Sequence, residues 1–191
     1  MYQYSTSGTE TYIGAVGFYG VGKTCNYLYL GGDYGTPWAS VTPAGYLTAT
    51  RVYGAVWNDY AEFRNQDNEI KPGYCVASTN SGKVYKTTEH LQACDGIVSD
   101  TYGFSIGKTD ECKTPLAVSG RVLAYCEGDK YDYNAGDTVG ASANGKVIKM
   151  TREEIKEYPD RIIGIVSEIP EYETWGTDKV NVDGRIWIKV K

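Results

Sequence analysis

The larger, carboxy-terminal part of this chain is written twice, and that duplication limits its fold more than any other feature. Gly73, Val76, Gly82, Lys83, Val84, Lys86 and Thr88 match Gly136, Val139, Gly145, Lys146, Val147, Lys149 and Thr151 at one ungapped shift of 63. Gly96-Ile97-Val98-Ser99 matches Gly164-Ile165-Val166-Ser167 at a shift of 68. Val118-x-Gly120-Arg121-Val122 matches Val182-x-Gly184-Arg185-Ile186 at a shift of 64. Three blocks in one order imply a repeated supersecondary unit. The reading is copy one over 72–126 and copy two over 135–191. Each copy is expected to hold about five short strands and a helical turn or two. The helix of copy two opens on the capping box Thr151-Arg152-Glu153-Glu154 and is followed by Pro159. A shorter counterpart is expected around Thr88 to Gln92. The two copies are expected to pack as a pseudo-symmetric β-barrel or β-roll pair.

The rest of the chain agrees with an all-β class. There are 18 Tyr against 3 Phe, and 23 Gly, the composition of strands joined by tight turns. Residues 1–50 are Gly/Tyr-rich and nearly uncharged. Trp38–Val41 and Tyr46–Ala49 flank Thr42-Pro43-Ala44-Gly45 as a hairpin. A segment with so few aliphatic residues buries little alone and is expected to pack against copies of itself. Residues 51–71 form a junction: a strand over Arg51 to Trp57, then a turn at Asn58-Asp59-Tyr60-Ala61-Glu62-Phe63 and a polar stretch. A net charge of -5 and a pI of about 5.0 weigh against nucleic-acid or anionic-membrane binding. No apolar run reaches the roughly 18 residues of a membrane span, and the opening residues do not resemble a signal peptide.

Several residues invite a chemical reading. Gly17, Gly22, Lys23 and Thr24 satisfy the phosphate-loop pattern G-x-x-x-x-G-K-T. That loop needs a helix beginning at its Lys-Thr. Here Tyr27 to Leu30 alternate like a strand, so a Gly-rich hairpin turn is expected and no nucleotide. Five cysteines, Cys25, Cys75, Cys94, Cys112 and Cys126, with no CxxC and the single His90, do not make a zinc pattern. They read as free thiols, and His90 as a surface residue. Neither metal nor cofactor is expected. Asp59 and Glu62, beside Trp57, Asn58 and Tyr60, form a carboxylate pair suited to acid–base work, or else a hydrogen-bonded turn. Ser99-Asp100 and Ser167-Glu168 place a hydroxyl beside a carboxylate, a pair that self-processing would use; its presence in both copies suits a strand end better. The acidic run Glu127 to Asp137 departs from the calcium-loop pattern and reads as a solvated hairpin. Exposed Tyr rings suit sugar stacking or a subunit interface.

Tyr12-Ile13-Gly14, Asn26-Tyr27-Leu28-Tyr29-Leu30-Gly31 and Val41-x-x-x-Gly45-x-Leu47-Thr48-Ala49 resemble the Gly/Tyr-rich shaft repeats of phage and prophage tail fibres. Val56-Trp57-Asn58-Asp59-Tyr60-Ala61-Glu62, with the Gly73, Gly82, Gly96 and Gly120 blocks, is similar to the carboxy-terminal domains of such fibres and of neck appendages. These include the intramolecular-chaperone autoprocessing domains. The resemblance implies a virion structural protein, a homotrimer joined at its amino end to other virion proteins and contacting a host cell-surface glycan or protein. It leaves tail and head fibres as alternatives. Autoprocessing relatives carry a bulkier insert after Asp-Tyr-Ala-Glu and a long helical tail, so self-cleavage stands as the alternative function.

Overall fold

The computed structural model describes the backbone of six strands within the first 50 residues, and residues 58–176 and 178–191 in full. Two units emerge, Met1–Tyr53 and Gly54–Lys191.

In the first unit β1 (Tyr2–Tyr4) pairs with β2 (Glu10–Tyr12). Strands β3 (Ala15–Val21), β4 (Thr24–Gly31), β5 (Pro37–Val41) and β6 (Leu47–Ala49) form an antiparallel meander in chain order. The expected hairpin is the β5–β6 pair, with Val41 opposite Leu47. Gly17 and Thr24 lie in β3 and β4, opposite Tyr29 and Val21. Thr24 therefore opens a strand, where a phosphate loop would open a helix. Gly22 and Lys23, and the strand expected over Arg51 to Trp57, lie outside the described residues.

The second unit holds a curled ten-stranded sheet and a separate two-stranded hairpin. Its strands are β7 (Asp59–Asn65), β8 (Cys75–Ser78), β9 (Val84–Lys86), β10 (Gly96–Val98), β11 (Tyr102–Ile106) and β12 (Cys112–Ala124). They continue with β13 (Thr138–Ala141), β14 (Val147–Lys149), β15 (Gly164–Glu168), β16 (Thr174–Trp175), β17 (Val180–Asn181) and β18 (Ile186–Val190). Omitting β7 and β11, the main sheet runs β14-β13-β15-β18-β12-β10-β8-β9, an order that reads the same from either end once copies are exchanged. Each half curls back on itself. Gln66, just after β7, forms a parallel bridge to Val84, and Cys126, just after β12, forms one to Val147. The result is two lobes sharing β12.

Register refines the repeat. Glu62 faces Leu116, which faces Val98; Val122 faces Ile188, which faces Val166. The first half of β12 is thus the counterpart of β18, and β7 the counterpart of the second half of β12. The first lobe begins at Asp59, inside the segment expected to be a junction. The turn expected at Asn58–Phe63 is a strand, because Asp59, Ala61 and Phe63 alternate inward. The third sequence block does not align equivalent strands: Gly120 sits within β12, whereas Gly184 precedes β18.

The repeated turns have a backbone reason. Gly73 and Gly136 adopt φ of 93° and 97°, and Gly82 and Gly145 80° and 72°, the left-handed region that side chains disfavour. The capping box forms at α1 (Arg152–Glu157), with Thr151 and Glu154 bonding each other's backbone. Its counterpart at Thr88–Gln92 is only a turn: the Gln92 side chain accepts from the amides of Thr88 and Glu89, and Leu91 takes a φ of 50°, which ends any helix.

The cores repeat as well. Val76, Val84, Val98 and Leu116 fill the first lobe, and their counterparts Val139, Val147, Val166 and Ile188 fill the second. Cys75, Ile97 and Ala117, from the outer face of the first lobe, join the second lobe's core. A further cluster of Leu123, Val182 and Trp187 lies under the β16–β17 hairpin.

Candidate functional site

Asp59 opens β7 and is wholly buried, 0% exposed. Its Oδ1 accepts from Thr101 Oγ1 at 2.8 Å. The Thr101 amide donates to Ser99 Oγ at 3.0 Å, and the two hydroxyls are 3.3 Å apart. Ser99 is held by its own amide, which donates to Pro115 O at 2.8 Å. Asp59 Oδ2 has no hydrogen-bond partner among the described residues. Burial raises the Asp59 carboxyl to about 6, against opposing hydrogen bonds from Thr101 and Ser99 and with a further rise from the charge of Asp100. The cluster is buried, with Asp59, Ser99 and Thr101 each 1% exposed or less. Gly120 crosses it at a φ of 100°, so near that a Cβ there would lie 2.4 Å from Asn58 O. That carbonyl accepts from the Arg121 amide at 3.1 Å, and Asn58 Nδ2 donates to Arg121 O at 3.0 Å.

The structure therefore joins Asp59 with Ser99, and it separates Asp59 from Glu62. Three residues apart on a strand, those carboxylates point to opposite faces; Glu62 is half-exposed, 3.8 Å from Arg64. Tyr60 stacks on Phe104 with ring centres 5.1 Å apart. Trp57 lies outside the described residues.

Asp100 has a different task. The guanidinium of Arg185, itself buried, donates to both its oxygens at 2.9 Å. Its counterpart Glu168 pairs with Arg121 at 3.3 Å and accepts from Tyr172 Oη at 2.8 Å. The two Gly-Arg blocks thus supply matching ion pairs from different places in the sheet. Ser167 Oγ donates to Trp187 O at 3.3 Å.

The acidic run is internally engaged. Glu127 accepts from Ser142 at 2.7 Å and Asn144 at 2.9 Å, which holds its carboxyl below its ordinary value, and Asp137 pairs with Lys149 at 2.8 Å. His90 is exposed and 2.7 Å from the capping Glu154. Cys75, Cys94, Cys112 and Cys126 are free thiols. Cys75 and Cys94 share a hydrogen bond that raises the former and lowers the latter. Sequence spacing carried no sign of that pair, because only strand pairing brings residues 75 and 94 together.

No family model matches the chain, and no curated protein matches it. Solved structures do. The chain is similar to the pre-mature gene product 12 of bacteriophage phi29, with a TM-score of 0.57 at 16% identity, over 80% of this chain and 24% of that one. A C-terminal fragment of the same gene product aligns with 70% of this chain and 100% of its own, at a TM-score of 0.48 and 17% identity. The chain spans about a quarter of the pre-mature gene product's length and shares the fold of that part.

Proposed function

We propose that this chain is a structural domain of a phage fibre or appendage, a homotrimer that takes part in host-surface attachment. The observation that carries the reading is the fold likeness to a phage gene product over 80% of the chain. The fibre-like Gly/Tyr-rich strands of the first unit support it, since a small, nearly uncharged meander gains most by symmetric association. Light scattering on a sizing column tests it. The expected result is about three times 21.0 kDa; a monomer mass overturns the trimer.

Self-cleavage near Asn58–Asp59 is the second reading. One observation favours it: a buried carboxyl raised to about 6 beside the Ser99 hydroxyl, next to a peptide carbonyl that accepts an amide hydrogen bond. Intact mass followed over days after purification decides. Two fragments cut near residue 58, absent in Ser99→Ala, would establish it, and a persistent full-length species would reject it.

A further inference from the structure

The two lobes differ most where their outer strands meet the incoming chain. In the second lobe that place is filled. Tyr133 is buried against β14, its single O–H shared between Glu127 O at 3.0 Å and Val147 O at 3.3 Å, with the Lys149 backbone also bonded to the hydroxyl. Its counterpart in the first lobe, at the shift of 63, is Ile70. Ile70 is shorter and has no hydroxyl, and a cavity of about 430 Å³ opens there, between β9 and residues 67–71.

The cavity has an apolar floor of Ile70 and Val84 and a wall of two tyrosine rings. Both rings are braced from behind. Tyr85 Oη accepts from Gln92 Nε2 at 2.7 Å, and the other end of that amide is held by two backbone N–H groups. Tyr74 packs on Tyr125 at 5.0 Å and carries the Lys86 ammonium 4.9 Å from its ring centre. The amide of Thr87 bonds inward to Cys75 O at 3.1 Å, so the alternation of an antiparallel strand turns the Lys86 N–H and C=O outward, towards the cavity. Lys149 is turned the same way in the second lobe, where Tyr133 meets it. The charged lining residues, Asp67, Glu69, Lys71 and Lys86, balance to zero.

We propose that this cavity binds one ring of a neutral saccharide. A sugar ring presents an apolar face for Tyr85, and hydroxyls that both donate and accept, as the Lys86 backbone requires. The Tyr133 hydroxyl shows within the same molecule how such a backbone edge receives an OH group. The site gives a chemical address to the attachment role proposed above and rests on that reading only for its biological meaning. Absence of sugar binding leaves the oligomer mass untouched, and a monomer mass leaves the cavity intact.

The test is titration of the ¹⁵N-labelled full chain with the methyl glycosides of glucose, galactose and N-acetylglucosamine, read at the Tyr85 and Lys86 amides. Saturable shifts in the millimolar range with at least one sugar are expected. Tyr85→Ala is expected to weaken binding about tenfold. Ile70→Tyr, which copies the second lobe, is expected to abolish binding while keeping or raising Tm. No shift with any of the three sugars overturns the proposal. So does undiminished binding by Tyr85→Ala and Ile70→Tyr. Shifts with N-acetyltyrosinamide but with no sugar also overturn it, and assign the cavity to a tyrosine of a protein partner.

Discussion

The two lobes share a strand order and four equivalent core residues, yet one interior is sealed and the other is open. Val122 and Ala124 face into the second lobe; their counterparts on β7 are Glu62 and Arg64. Tyr133 closes the second lobe, and Ile70 leaves the first ajar. An ion pair between Asp137 and Lys149 stands where the first lobe has Lys86 over the ring of Tyr74. Duplication thus preserved the aliphatic scaffold, where each buried methylene contributes close to a kcal/mol, and released the rim. The lesson is that the repeat marks what holds the fold, and its departures mark where other work is possible.

The largest effect should separate the two cores. Ile188→Ala is expected to cost about 4 kcal/mol and its counterpart Leu116→Ala nearer 3, because the open lobe relaxes or hydrates its cavity more readily. Denaturant unfolding of both variants measures the difference; equal costs would mean that the first lobe is as tightly packed as the second.

Next is Asp59, a buried carboxyl with no counterpart carboxylate in the second lobe. Its folded value of about 6 lies above the ordinary 3.8, so the folded protein keeps a proton that the unfolded chain releases. Its contribution is therefore favourable at low pH and is lost as pH rises through 6. Asp59→Asn, which mimics the protonated form, is expected to be more stable than the parent by about 3 kcal/mol at pH 7 and equal to it near pH 3, below the unfolded value. Thermal melts of both proteins across that range read the gap, and a constant gap would exclude titration as its origin.

Smaller effects test the rims. Tyr133→Phe keeps the ring and removes the hydroxyl that bonds the β14 edge, at an expected cost of about 1–2 kcal/mol in chemical unfolding. Tyr85→Phe, on the open lobe, is expected to change stability by less than about 0.5 kcal/mol. Least of all, Lys149→Met and Lys86→Met are each expected to cost under about 1 kcal/mol, the former falling with added salt and the latter less so.

Much of this architecture is legible in the sequence where local words and structure coincide. The blocks at shifts of 63 and 68 contain the Gly turns and the strands β8, β9, β10 and their counterparts, since turn and strand demands are local there. The true mates Leu116 and Ile188 share no surrounding word, because a strand flanked on both sides accepts many apolar residues. The Gly-Arg blocks misled the alignment because they sit at different places in the sheet, Gly120 within β12 and Gly184 before β18. β7 was obscured by its charges: Asp59 and Glu62 look like a turn, and only the alternation through Ala61 and Phe63 betrays the strand. The site was half visible. Asp59 and Ser99 both stood out, but they meet through pairing of strands distant in sequence, and the i, i+3 spacing suggested the wrong partner for Asp59.

The strand β12 has one more consequence. Its first residues complete one lobe and its last residues complete the other, so no cut in the chain leaves two whole pieces. The 138-residue unit, Gly54–Lys191, is in effect a two-fold dimer made covalent through its own interface. Melting of either lobe removes an edge from the other, which makes the unit all-or-none: protease nicking or heat should take it from intact to lost with no surviving half.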